Sequence, residues 1–459
     1  MYSKAIVLLN WLIATIVCAL PLLSSTLCAA DFSGIGYLSP GDNFSFASAL
    51  SRDGSTLIGN SYRTFTFEFS AGPQYVMTYS RAFMQDARGK RSIETPPYQN
   101  YFGGDEVEDV APHGSAVFIR SYSNPQQIGD QMFGEYSDTG QQTWTPDGGF
   151  VPLADNVYPR AFAGDRNTYV GRMRVTSNSF YPIQHAFRHT SSGGYEDLGW
   201  IKPTHAPTNI RDALSEAKGI SADGKVVVGT NTATAEIPGI TNADPPLVQL
   251  PDPDGFEAFR WTPDGGMKPL GFLPGADHSS ANGVSGDGKV IFGQSSKADA
   301  VLASTGYRWT EATGMTPIAP LRDGQSAAMS AANFDGSILV GTSAYQIARV
   351  SFLDDFGEVQ LPINDAVIWD AVHGLRELKA VLETDYGIDV GDFLLTSATD
   401  ISDDGRTIIG NGINLQGQAE GWIVHLDPVA VPEPAACALF AIGLTAMPSI
   451  FRRSKKNVA

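Results

Sequence analysis

The residues able to do chemistry in this chain are few and scattered. His185 and His189 stand four apart, a spacing that would put two metal ligands on one face of a helix. Their setting, His185-Ala186-Phe187-Arg188-His189, reads instead as a strand, where four residues span about 13 Å and the pair is drawn apart. Asp400-Ile401-Ser402-Asp403-Asp404-Gly405 begins like a calcium loop. Its twelfth position is Asn411 where a bidentate Glu is needed, and the segment is better explained as a hairpin. No Gly-x-Ser-x-Gly elbow and no phosphate loop occurs. What remains is a set of acids and aromatics in long segments: Tyr62, Asp252, Asp254, Tyr345, Asp354 and Asp355. Rings beside carboxylates suit sugar rings or cation-bridged polysaccharide. The competing reading is burial, since Phe65 and Phe67 alternate as a strand with one buried face does.

The elements that must position these residues come from an internal repeat. Its first half is an apolar residue, Ser-x-Asp-Gly, and an apolar run ending in Gly. Clear copies are Leu50–Gly59, Ile220–Gly229, Val284–Gly293 and Ile401–Gly410, with Asn333-Phe334-Asp335-Gly336 opening another. Worn copies surround Val110–Gly114 and Phe162–Gly171. Asp-Gly suits a type I turn with Gly in the left-handed position, and the β-branched run beyond it suits a strand. Arg166 stands where Gly belongs, so strain is expected there. The Ser-x-Asp-Gly turns differ from sialidase Asp-boxes, which place a residue between Asp and Gly.

The second half is a tryptophan strand, a Gly turn and a short apolar strand, clearest at Glu257–Met267 and repeated around Trp144, Trp309 and Trp369. The repeated tryptophans read as core between neighbouring units. Glu420-Gly421-Trp422 starts the last copy, which lacks its fourth strand. Gly36–Asp42, similar to Gly271–Asp277, is expected to supply that strand from the other end. The fold class is therefore all-β: a β-propeller of seven four-stranded blades whose closing blade is shared by the two ends of the domain. A β-sandwich or β-helix is the rival. The unit is longer than the ~40–50 residues of familiar blades. The extra length falls at Asn60–Ser80, Arg172–Gln184, Thr230–Phe256 and Thr342–Asn364. In up-and-down blades these insertions gather on one face, the expected binding surface.

Lys4, the apolar run Ala5–Leu23 and the small residues before Asp31 have the order of a secretory signal, residues 1–30; a retained anchor is the alternative. At the other end, Val431, Pro432, Glu433 and Pro434 precede an apolar stretch of roughly 17 residues, the low end of a membrane-spanning helix. Arg452, Arg453, Lys455 and Lys456 follow. Between these ends, residues 31–430 contain no cysteine, so disulfides and thiolate chemistry are excluded. The net charge of −18 makes nucleic acid a poor partner and permits only diffuse calcium binding; no cofactor is implied.

The segment 431–459 resembles the PEP-CTERM sorting signal. That resemblance implies processing by an exosortase near Pro432–Pro434, a membrane helix present only before processing, and a Gram-negative host that makes exopolysaccharide. The repeats resemble the HAF family of extracellular repeats, on His185-Ala186-Phe187-Arg188 and Glu257-Ala258-Phe259-Arg260-Trp261-Thr262. That family implies export to the cell envelope, surface or matrix, and no known activity. With no catalytic motif found, the expectation is a non-enzymatic surface or matrix protein that binds extracellular polysaccharide through its loop face. The alternative is a propeller hydrolase or lyase acting on polysaccharide, which needs convergent carboxylates.

Overall fold

The Ser-x-Asp-Gly turns are held by their own side chains. Ser221 Oγ donates to Asp223 Oδ1 at 2.7 Å and accepts from the Val226 N–H at 3.0 Å. Asp223 accepts from the Lys225 N–H at 3.0 Å. Gly224 takes φ +71°, the left-handed conformation open to glycine at little cost. The same serine bonds recur at Ser51, Ser285 and Ser402, and Asn333 replaces the serine in one copy by accepting from the Ile338 N–H. The worn copies differ. Pro112–Gly114 forms a 3-10 turn in which His113 has φ +57°, the one positive value outside glycine among the described residues. The strain expected at Arg166 is absent, because Asp165 closes that turn by accepting from the Asn167 and Thr168 N–H groups, both at 2.7 Å.

The computed structural model describes residues 30–426 apart from 69–73, 94–102, 124–125, 129–130, 134–136, 176–182, 207, 209, 236–254, 298–303, 323–324 and 352–357. These residues form one unit of their own; residues 1–29 and 427–459, with the signal and sorting segments, lie outside the described set. Among the described residues the chain folds into seven four-stranded antiparallel blades, five of them separate sheets and the third and fourth joined by one parallel bridge, Gln184 to Leu214. The first holds Phe44–Leu50, Leu57–Glu68, Gln74–Asp86 and Gly89–Ser92. The second holds Gly103–Val110, Val117–Ser123, Ser137–Thr145 and Gly149–Pro152, with a small hairpin, Gln126–Ile128 and Gln131–Phe133, inserted. The third holds Val157–Phe162, Tyr169–Arg174, Gln184–Thr190 and Gly194–Gly199. The fourth holds Ile210–Ile220, Val227–Ala235, Gly255–Thr262 and Gly266–Pro269. The fifth holds His278–Val284, Ile291–Ser296, Thr305–Thr310 and Gly314–Ile318, and the sixth Ser326–Ala332, Ile338–Ser351, Glu358–Asp370 and Gly374–Glu377. The seventh holds Leu394–Ile401, Thr407–Ile413 and Ala419–His425, and is completed by Asp31–Gly34.

The shared closing blade is as expected, but the closing strand is not Gly36–Asp42. Asp31–Gly34 pairs with Ala419–His425, with Gly34 opposite Trp422. Gly36–Asp42 is instead the link from the seventh blade to the first, and its counterpart Gly271–Asp277 links the fourth to the fifth. Two of the expected insertions are largely strand: Leu57–Glu68 with Gln74–Asp86, and Ile338–Ser351 with Glu358–Asp370, are long hairpins. A helix the sequence did not suggest, Leu378–Asp385, buries Leu378, Val381 and Leu382 with Phe393 and Trp422 in one apolar cluster.

Apolar clusters lie between successive blades. Ala49, Ile58 and Met84 of the first meet Val107, Val117 and Ile119 of the second. Phe118 of the second stacks on Phe162 of the third at 3.8 Å. The arginine of the tryptophan strand ties blades together as well. The Arg188 Nε donates to Gly224 O at 2.7 Å in the next blade, and its guanidinium lies 5.8 Å from the Trp261 ring. Arg308 lies 5.9 Å from Trp369 in the same relation, a cation–π contact.

One irregularity organises the middle of the molecule. All seven inner strands carry a β-bulge at the same place, immediately before the turn. The extra residue is Ser48, Arg160, Lys218, Asn282, Ser330 or Thr399 in six blades, and the pair Glu108-Asp109 in the second. A bulge bends its strand and re-aims a side chain. It also drives the inner strand's carbonyl toward its partner strand, which explains the glycine that ends each apolar run. A Cβ on Gly59, Gly171, Gly229, Gly293, Gly341 or Gly410 would collide with the carbonyl oxygen of Phe46, Tyr158, Glu216, Ser280, Ala328 or Ser397. Gly293→Ala should therefore cost about 1–3 kcal/mol in a urea unfolding experiment. A change within about 0.5 kcal/mol would show that the strands relax freely.

Candidate functional site in the central channel

The inner strands face a central channel, and the bulges decide what lines it. At the bulge level the lumen is surrounded by Ser48, Glu108, Arg160, Lys218, Asn282, Ser330 and Thr399. Two residues earlier stand Phe46, Glu106, Tyr158, Glu216, Ser280, Ala328 and Ser397. Their neighbours Ala47, Val107, Ala217, Ala281, Met329 and Ala398 are buried, while these positions retain exposure; Phe46 is 37% exposed. The wall is two-sided. Blades two to four present charges, and blades five to seven, with the first, present hydroxyls and an amide.

The charged side is a linked network. The Arg160 Nε donates to Glu216 Oε1 at 2.7 Å, and an Arg160 Nη donates to Glu108 Oε2 at 2.7 Å. Arg172 stands 3.9 Å from Glu216 and over the Tyr158 ring. The Lys218 Nζ donates to Ser280 Oγ at 3.0 Å. Burial raises the Glu216 pKa, but the charges of Arg160 and Arg172 outweigh it and hold the carboxyl below its usual range. Burial lowers the Lys218 pKa, with Glu216 opposing.

Nearer the turns, a cavity of about 160 Å³ is lined by the last residues of all seven inner strands. Three carboxyls line it: Asp109 from the second blade, and Asp400 and Asp403 from the seventh. Asp403 is raised by burial but is paired with Arg52, so Asp109 and Asp400 are the two without a cationic partner in contact. These two occupy equivalent positions, directly before the apolar residue that leads into the turn. Each is fixed by the following blade: Asp109 Oδ2 accepts from the Phe162 N–H at 2.7 Å, and Asp400 Oδ2 from the Leu50 N–H at 2.9 Å. Both are partly buried and keep some exposure. Burial pushes Asp109 up to about 7, with the charge of Asp400 adding to it and Arg52 opposing. Burial likewise pushes Asp400 up to about 6, against the bonds from Leu50 and Ile401 and the charge of Arg52. Two carboxyls with raised and separated acidities in one cavity can hold one proton between them near neutrality, which is the condition for acid–base work.

The sequence-derived candidates fall elsewhere. Tyr62 lies in the second strand of the first blade, edge-on to Phe46 with ring centroids 5.6 Å apart. Tyr345 lies in the strand Ile338–Ser351. Asp252, Asp254, Asp354 and Asp355 lie outside the described residues, as do Val431, Pro432, Glu433, Pro434, Arg452 and Arg453. His185 and His189 are on a strand, as read. His185 pairs with Asp197 at 3.0 Å, and His189 stacks on Tyr169 at 4.4 Å. Among the described residues no three His, Cys, Asp or Glu side chains gather as a metal site. No described helix is long and apolar enough to cross a membrane. The channel residues were missed, although a signal existed. Aligning the repeats at the residue before the turn gives Ala49, Asp109, Ala161, Gly219, Gly283, Ala331 and Asp400, two acids in a column of small residues.

Comparison with family models and with curated proteins gave no match. Solved structures do resemble the chain. A puromycin-hydrolysing peptidase of Mycobacterium tuberculosis is 12% identical, with 89% of this chain and 58% of that one covered and a TM-score of 0.43. Dipeptidyl peptidase 4 of Porphyromonas gingivalis is 11% identical, covering 87% and 54%, with a TM-score of 0.40. Trypanosoma rangeli sialidase in complex with sialic acid is 10% identical, covering 93% and 60%, with a TM-score of 0.31. The chain thus spans a little over half the length of each of these proteins, and the likeness is one of fold. The expectation of a non-enzymatic, loop-binding surface protein is corrected here. The structures of similar fold include two peptidases and a sialidase beside the Dos1 propeller, so they do not support a non-enzymatic reading.

Proposed function

We propose that the protein is a propeller hydrolase acting on polysaccharide, with Asp109 and Asp400 as an acid–base pair at the turn end of the channel. The observation that carries this reading is that the two carboxyls face one cavity with their pKa values raised to about 7 and about 6. Between those values one member is protonated and the other ionised. The protonated carboxyl donates its proton to the leaving glycosidic oxygen as the carbon–oxygen bond breaks. The ionised one takes a proton from the water that forms the new bond. The backbone N–H groups of Phe162 and Leu50 hold both carboxyls in place before substrate arrives. Arg160, Lys218, Asn282 and Ser330 supply donors to a bound sugar.

The first test is a screen of neutral and acidic polysaccharides for new reducing ends, from pH 5 to 8. Release should follow a bell-shaped profile with its top between about 6 and 7, set by the coupled pair. No release above the blank on any polymer would defeat the reading. The proposal includes export through the segments 1–30 and 431–459. Intact mass of the protein from its native host should match a chain cut near Asp31 and near Pro432. A mass retaining 435–451 would make that stretch an anchor.

A further inference from the structure

We propose that the channel is blind, closed at its turn end, so that substrate enters only as a chain end and is released one ring at a time. This rests on the hydrolase reading and adds to it the mode of attack. The closure is built from the residue between Ser and Asp in the turns. Backbone bonds run from Gly164 N–H to Ala222 O at 2.9 Å and from Ala222 N–H to Gly286 O at 2.8 Å. They continue from Asp287 N–H to Phe334 O, from Phe334 N–H to Asp403 O, and from Asp403 N–H to Arg52 O. Turns of the third to seventh blades and of the first are thereby drawn together at the axis.

Arg52 completes the floor. It belongs to the first blade, yet an Nη donates to Ile220 O of the fourth at 2.9 Å, spanning the lumen. The other Nη stands 3.4 Å from Asp403 Oδ1 of the seventh. A Cβ on Gly286 would meet the Phe334 ring and the Arg52 guanidinium, so the fifth blade is pressed against the same plug. The other end has no such bridge among the described residues, and Ser330 and Phe46 in the lumen are exposed. A polymer therefore cannot thread through. A cavity of about 160 Å³, close to the ~150 Å³ that holds one benzene molecule, has room for no more than one ring of a chain. Hydroxyls and an amide on one wall (Ser48, Asn282, Ser330, Thr399) and charged donors on the other (Arg160, Lys218) match a ring edged with hydroxyls.

The test uses the full protein and a reducing-end-labelled oligosaccharide of whichever polymer is cleaved. Early products should be shorter by one unit only. Fragments from internal cuts at early times would overturn the proposal. Arg52→Ala, which removes the side chain that spans the floor, should allow such fragments to appear. Binding separates this idea from the hydrolase reading. Glucose and glucuronate, used as probes in NMR titrations, should bind the parent protein and lose at least tenfold in affinity in Ser330→Trp, whose new ring fills the lumen. Retained affinity in a Ser330→Trp protein with an unchanged unfolding midpoint would overturn the channel as the ring site, whatever the outcome of the hydrolysis screen.

Discussion

Asp109→Asn should lower the hydrolytic rate by ~10²–10⁴-fold, the usual worth of a positioned general acid or base, while leaving the blades assembled. The argument is geometric. The amide oxygen of asparagine can still accept the Phe162 N–H that now binds Asp109 at 2.7 Å, so the tie between the second and third blades survives. What is lost is the proton. Asp400→Asn should act similarly, since an amide can still accept from Leu50. The double variant should be little worse than either single one, because the two groups act as a unit. Asp197→Asn, which lies outside the channel, pairing with His185 and accepting from the Gly199 N–H, should leave the rate within twofold. Full activity in both Asp109→Asn and Asp400→Asn would remove the pair from the mechanism.

The second large effect is on stability. Asp109 and Asp400 have folded-state values of about 7 and about 6 against an ordinary 3.8. Between about pH 4 and 7 the folded protein therefore holds protons that the unfolded chain has released. This contribution is complete below about 4 and is lost as pH rises through 6 and 7. At about 1.4 kcal/mol per pKa unit, Asp109 alone accounts for a loss on the order of 4 kcal/mol across that window. Asp53, held near 2, and Asp42, Asp223 and Asp287, also held low, act in the opposite sense. They contribute above 3.8 and fail as pH drops below it, Asp53 toward about 2. Stability should peak near pH 4 to 5 and decline toward pH 8. Urea unfolding at several pH values should show this, and Asp109→Asn should flatten the decline and be the more stable protein at pH 8. A gain in stability with a loss of activity is the mark of a group kept at a cost for function. A parent protein more stable at pH 8 than at pH 5 would contradict the account.

The fold was legible because its signals are local and repeated. Ser221, Asp223 and Gly224 make their turn with bonds two to five residues long, so their pattern survives in sequence wherever the turn survives. Trp261 and Trp369 recur because the neighbouring blade's arginine lies against each. The closing strand was misassigned because Asp31–Gly34 has no sequence partner of its own kind; its pairing with Trp422 is set across the whole chain. The channel was illegible for a related reason. Asp109, Asp400 and Arg52 come from three blades, and each sits at a repeat position where the other copies carry different side chains. Periodicity finds what the copies share, while a site at the axis is made of what they do not share. The bulges belong to the same class, since Arg160 and Lys218 read as ordinary strand residues until the register of pairing is known.

The most direct test is the titration of the two carboxyls themselves, by carbon-13 NMR of protein labelled at the aspartate side-chain carbonyl. The account predicts two resonances with apparent midpoints near 6 and 7. One should disappear in Asp109→Asn and the other in Asp400→Asn, and in Asp400→Asn the Asp109 resonance should move to lower pH because the charge that raises it is gone. If every aspartate instead titrates below about pH 5, the pair holds no proton at neutrality and the channel is not the site of acid–base chemistry.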